Sequence, residues 1–116
     1  MRRDMDLIRY ILIQTESGQP IERDHKEVVY HIALLNDAGL VEAVITNDEV
    51  GIPNNARILR LTWQGHEFLD ASRNNKIWQA VKQKVLIPGV SWTVSTLLEL
   101  LKQEVKKQFL PDHDSS

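Results

Sequence analysis

Leu61-Thr62-Trp63-Gln64-Gly65-His66-Glu67-Phe68-Leu69-Asp70 is where a strand hands over to a helix. Just before it, residues 57–61 read Arg-Ile-Leu-Arg-Leu, the return arm of a β-hairpin. Thr62 is an N-cap residue, and Trp63, Phe68, Leu69 and Ala71 carry the helix beyond it. Upstream, residues 47–55 hold Gly51, Pro53 and several Asn, which is loop chemistry and implies a nine-residue connection. Residues 40–46, with Val41, Val44 and Ile45, form the outgoing strand.

Two helices precede the hairpin. Asp4 caps the first, over 4–15, and Ile8, Ile11, Leu12 and Thr15 share one face at helical spacing. Tyr10 and Ile13 point to a second surface. Ser17-Gly18-Gln19-Pro20 stops that helix, and Ile21 is read as a very short strand. Asp24 and Glu27 stand in the capping-box relation at the next helix, with Asp in place of Ser or Thr. Its buried stripe is Val28, Ile32 and Leu35, and Gly39 closes it. After the hairpin, Ser72-Arg73-Asn74-Asn75 marks a joint. Ile77, Trp78, Val81 and Val85 then form a helical stripe that Pro88-Gly89 ends. Ser91 or Thr93 caps a last helix whose stripe is Val94, Leu97, Leu98, Leu101 and Val105. The expected fold is α+β, four or five helices and one antiparallel hairpin. It divides into a core over 1–72, a C-terminal helical extension over 73–110 and a disordered tail over 111–116.

With 116 residues the chain holds one domain's worth of sequence, and 42% apolar with 26% charged residues is ordinary for a globular protein. The absence of cysteine excludes a disulfide scaffold, a thiolate zinc site and a cysteine nucleophile. Asp4, Asp6 and Arg9 interrupt any leader-like apolar run, and no stretch approaches the roughly 20 apolar residues of a membrane span. A cytoplasmic protein without a membrane partner is expected. The net charge of −2 is a weak footprint for nucleic acid. It is unevenly spread. Residues 1–50 carry 5 basic and 10 acidic side chains, and residues 73–107 carry 7 and 2.

The order helix, short strand, helix, hairpin, helix resembles a winged-helix domain. Ala38-Gly39-Leu40 and Leu61-Thr62-x-x-Gly65 are similar to the entry and exit of the wing in many bacterial regulators. The chain from Arg3 to about Leu110 also resembles a narrower bacterial and phage family, domain of unknown function 2513. The resemblance rests on Arg3-Asp4-Met5-Asp6-Leu7-Ile8-Arg9, Val29-Tyr30-His31-Ile32, Leu35 with Ala38-Gly39-Leu40, the 61–70 block, Ile77-Trp78 and the final helix. It implies a winged-helix-like fold and an association with mobile elements, and no activity or functional residues. One departure matters: residues 20–24 leave no room for the positioning helix of a helix-turn-helix pair, which puts base reading by the second helix in doubt.

His66-Glu67-Phe68-Leu69-Asp70 nearly repeats the zinc-protease pattern, with Asp70 in place of the second His. Glu27 and His31 form another i, i+4 pair. A hydrogen bond from His66 to a backbone carbonyl or to Asp70, and half-buried packing of His31 beside Val28 and Ile32, explain both pairs more simply, so no metal, cofactor or catalytic residue is expected. No nucleophile elbow, phosphate loop or dinucleotide fingerprint occurs. Trp63 and Trp78 are read as core, and Trp92 as partly exposed.

Two functions remain. In one, the chain is a non-enzymatic protein-interaction module on a winged-helix scaffold. In the other it is a DNA-binding regulator. Lys26, Tyr30, Arg57, Arg60, Arg73 and Lys76 would then be the nucleic-acid contacts, extended by Lys82 and Lys84. The stripe Val94, Leu97, Leu98, Leu101, Val105 and Phe109 needs cover. A homodimer through it is expected unless the helix folds back on its own chain.

Overall fold

The computed structural model describes residues 2–109, without the Phe109 side chain. The tail expected over 111–116 and the interface role expected of Phe109 therefore lie outside the described residues. Those residues form five helices and one two-stranded antiparallel sheet, an α+β architecture. They divide into two compact units, one ending at Leu69 and one beginning at Asp70.

In the first unit, Asp4 caps α1 (Met5–Ser17) by accepting the Leu7 amide on Oδ1 at 3.1 Å, and Gly18 ends it in the left-handed conformation, φ 69°. Met5, Leu7, Ile8, Ile11 and Leu12 are buried, a wider face than the expected stripe. Asp24 caps α2 (His25–Asp37) by accepting the Glu27 amide at 3.1 Å. The buried α2 residues are Val28, Val29, His31, Ile32 and Leu35.

Ile21 is not in a strand. The backbone around it is turned toward α1: the Gln19 amide donates to the Gln14 carbonyl, Gln14 Nε2 donates to the Pro20 carbonyl, and the Glu22 amide donates to the Tyr10 hydroxyl. Pro20 has no amide to offer. A third strand is thus deprived of its hydrogen-bonding groups. The Arg23 guanidinium lies 4.0 Å from the Tyr10 ring centroid, which covers part of the second α1 surface.

The hairpin consists of β1 (Val41–Asn47) and β2 (Pro53–Leu61). Its connection is five residues, not nine, because β2 begins at Pro53. Asp48 makes the short turn possible: its Oδ1 accepts the Val50 and Ile52 amides at 3.0 and 2.9 Å, and its amide donates to the Ile52 carbonyl. The register pairs Val41 with Leu61, Ala43 with Ile58 and Ile45 with Ala56 on the inner face. Glu42–Arg60 and Val44–Arg57 pair on the outer face. The register shifts between Glu42 and Ala43, leaving Leu59 as the extra residue. Asn36 Oδ1 accepts the Ala43 amide at 3.1 Å and ties α2 to β1 at that shift.

The α3 helix (Trp63–Arg73) straddles the division between the units. The second unit continues with α4 (Asn75–Val85), capped by Asn74, and α5 (Val94–Phe109), whose Thr96 amide donates to Thr93 Oγ1. Ile77, Trp78, Val81 and Val85 are buried, as the stripe requires. Val94, Leu97, Leu98 and Leu101 are buried within the single chain, where α5 packs on α4, and Val105 is half-buried. The helix thus packs on α4 of its own chain, the alternative to a dimer that the stripe allowed.

Glu104 is buried on α5 and pairs with Lys84 Nζ of α4 at 2.9 Å, while Gln108 Nε2 donates to its other oxygen at 2.8 Å. These donors, Lys84 first, hold its carboxyl below the ordinary 4.5. A lowered folded-state value stabilises above the unfolded value, and that contribution is lost as pH falls through the folded one. At neutral pH Glu104→Gln is expected to cost about 1–2 kcal/mol. Urea curves of the two proteins should converge as the pH falls through the folded-state value, which lies below 4.5. A gap that stays constant over that fall would contradict the assignment.

Among the described residues, no helix is long and apolar enough to cross a membrane.

Candidate functional site

The two motifs that bracket the hairpin meet in space. The Thr62 amide donates to the Leu40 carbonyl at 3.0 Å, Thr62 Oγ1 donates to the Gly39 carbonyl at 2.5 Å, and the Gly65 amide donates back to Thr62 Oγ1 at 3.1 Å. One hydroxyl thereby closes α2, anchors the end of β2 and caps α3. Gly65 lies so close that a Cβ there would fall onto the Leu40 carbonyl oxygen. This clasp sets the hairpin's direction, and with it which side chains face water.

Gly65, Phe68, Leu69 and Ser72 are the buried face of α3, at i, i+3, i+4 and i+7. Trp63 is diametrically opposite and 76% exposed, which corrects its expected place in the core. Trp92, expected to be partly exposed, is buried. His66 and Asp70 share the exposed face of α3 with Trp63. His31 is wholly buried rather than half-buried. Its Nε2 accepts the Asp4 amide at 2.9 Å, which leaves the ring proton on Nδ1, 2.7 Å from the Glu27 carbonyl. Both nitrogens are thus spent joining α2 to the start of α1, and His31 has no lone pair left for a metal. Among the described residues no three His, Asp or Glu side chains cluster as metal ligands.

The hairpin's solvent side carries exposed apolar side chains among its charged ones. Val50 at the tip is 77% exposed, and Ile52, Leu59 and Val44 are about half exposed. Arg60, an expected phosphate contact, is held by Glu42 in a two-pronged pair, Nε to Oε1 at 3.0 Å and Nη2 to Oε2 at 2.7 Å. Its charge is locally compensated. Arg57, opposite Val44, is exposed without a partner among the described residues, as is Lys26 in the first turn of α2. Tyr30 is half-buried, edge-on to the His31 ring with centroids 5.1 Å apart. Arg73 and Lys76 are exposed but belong to the second unit. The six expected contacts are thus distributed over both units, and four lie in the first. Residues 2–69 carry seven basic and eleven acidic side chains, so the unit bearing the hairpin is acidic.

Behind the hairpin lies a groove of about 330 Å³. Ile21, Val28, Ile32, Ala56 and Ile58 supply its apolar walls, with Gln14 at one end. It includes the inner-face residues of β2 and none of β1, so it follows the outer edge of β2. Nothing in the spacing of these residues announced it, because it exists only where Ile21 fails to pair.

The chain is similar to an uncharacterised protein of Haemophilus influenzae, 38% identical over 96 residues, which covers 73% of this chain and 79% of that protein. No solved structure shows a significant match. The model of the family described as hypothetical protein (DUF2513) matches residues 2–91, so α5 lies beyond the match although the sequence resemblance reached about Leu110. The chain belongs to that family of unknown function, DUF2513.

Proposed function

We propose that the chain is a non-enzymatic protein-interaction module on a winged-helix-like unit, and that its docking surface is the solvent side of the hairpin with Trp63. The observation that carries this reading is Trp63 itself, 76% exposed on the helix that begins where β2 ends. Exposed tryptophan is costly in water and is the residue type most concentrated at binding hot spots. Leu59, Val44, Val50 and Ile52 are further exposed apolar side chains on the hairpin. A wing that tracks DNA needs free cations instead. Here Glu42 compensates Arg60, and Asp48 and Glu49 stand at the tip.

Duplex DNA titrated between about 50 and 200 mM salt tests the choice. The expected slope of log affinity against log salt is shallower than about −1, one phosphate neutralised. A slope of about −3 or steeper that flattens in Arg57→Ala would overturn the interaction reading in favour of a DNA-binding regulator.

A further inference from the structure

Between α4 and α5, residues 86–90 read Leu-Ile-Pro-Gly-Val, and all five are exposed. Leu86, Ile87 and Val90 are 58, 49 and 44% exposed, while Val85 and Trp92 on either side are buried. The stretch is a built turn. The Leu86 amide donates to the Lys82 carbonyl at 2.9 Å, and the Val90 amide donates to the Ile87 carbonyl at 3.0 Å across Pro88-Gly89. Gly89 has φ 87°, so Pro88 and Gly89 occupy the two central positions of a type II turn. Folding thus fixes three apolar side chains in water with no polar side chain among them, a pattern that stability alone does not favour. The charges around the turn are mostly cationic. Residues 71–98 contain no Asp or Glu, but do contain Arg73, Lys76, Lys82 and Lys84. Lys82 and Lys84 stand in the last turn of α4, next to Leu86. Glu104 pairs with Lys84, but Lys107 also acts on that carboxylate, so one buried acid faces two lysines.

We propose that this turn docks the second unit on an anionic lipid surface, with Leu86, Ile87 and Val90 entering the bilayer boundary and the neighbouring lysines meeting acidic headgroups. Surface docking of this kind combines buried apolar area with attraction of cations to anionic lipid. The size of the patch favours a bilayer over a protein. A stable protein interface takes about 20–30 residues a side, whereas here three apolar side chains are set among cations. A second copy meeting the same patch would bring like charges together. Residues 70–109 carry seven basic and three acidic side chains, so the unit as a whole suits a negative surface. The expectation of no membrane partner rested on leader-like and spanning runs, and a turn that reaches only the boundary needs neither. This inference concerns the second unit and is independent of the Trp63 surface proposed above.

Co-sedimentation of the full chain with vesicles tests it, at about 50 mM salt. Vesicles of phosphatidylcholine with about 30% phosphatidylserine should bind the chain at least about tenfold more tightly than phosphatidylcholine alone. Leu86→Ser combined with Ile87→Ser removes apolar groups without changing the charge, and should weaken binding to the anionic vesicles about tenfold or more. Both side chains are exposed, and circular dichroism should show the wild-type helix content. Val90→Ser is the second variant and should weaken binding in the same direction. The chain has no cysteine, so Ile87→Cys gives a single site for an environment-sensitive fluorophore. Its emission should shift to the blue on the anionic vesicles, and that of a fluorophore at Glu49→Cys in the hairpin turn should not. Absence of binding to the anionic vesicles would overturn the proposal and leave the turn to a protein partner. Binding that survives the serine variants would overturn it as adsorption by charge alone. A blue shift at residue 49 and none at residue 87 would overturn it by moving the contact to the hairpin.

Discussion

Gly65→Ala is expected to cost the first unit about 3 kcal/mol or more, a large share of a small unit's stability. The new Cβ would land on the Leu40 carbonyl oxygen, which is backbone and already holds the Thr62 amide at 3.0 Å. It cannot retreat without breaking the Thr62 clasp that closes α2 and starts α3. Gly65→Ser should be worse. Urea denaturation followed by circular dichroism measures the loss. A variant within about 0.5 kcal/mol of the wild type would show that α3 does not approach Leu40 this closely.

Leu101→Glu should be more damaging still, about 4 kcal/mol or more. Leu101 is fully buried in the second unit, and a carboxylate there would be taken out of water. Loss of that unit should be visible in tryptophan emission. Trp78 and Trp92 are both buried and would shift to the red, whereas Trp63 is exposed from the start. A folded monomer released from a dimeric wild type would contradict the account. It would mean that the stripe on α5 faces another chain.

Caps were the most legible part of the fold. Asp4, Asp24 and Thr62 each start a helix where their short polar side chains predict, because capping is a contact over three residues. The α4 and α5 stripes were legible for the same reason. What failed depended on distant groups. Ile21 has strand character, but its strand was decided by Gln14 and Tyr10, one element away. Arg60 reads as a free cation until the register brings Glu42 opposite it. His31 gives no hint that the amide of Asp4 will meet its ring. Trp63 is different: Gly65, Phe68, Leu69 and Ser72 form a complete helical stripe, and that spacing alone places Trp63 in water. Its size argued for the core and its position argued against. Position prevailed, because a helix buries one face.

In the proposed interaction module, the exposed Trp63 meets a protein partner. Photo-crosslinking reads that contact, with benzoylphenylalanine in place of Trp63 in the full chain, expressed in its native host. The expected result is a discrete protein adduct that disappears when Leu59→Asp is added. A nucleic-acid adduct, or protein adducts indifferent to Leu59→Asp, would overturn the interaction reading.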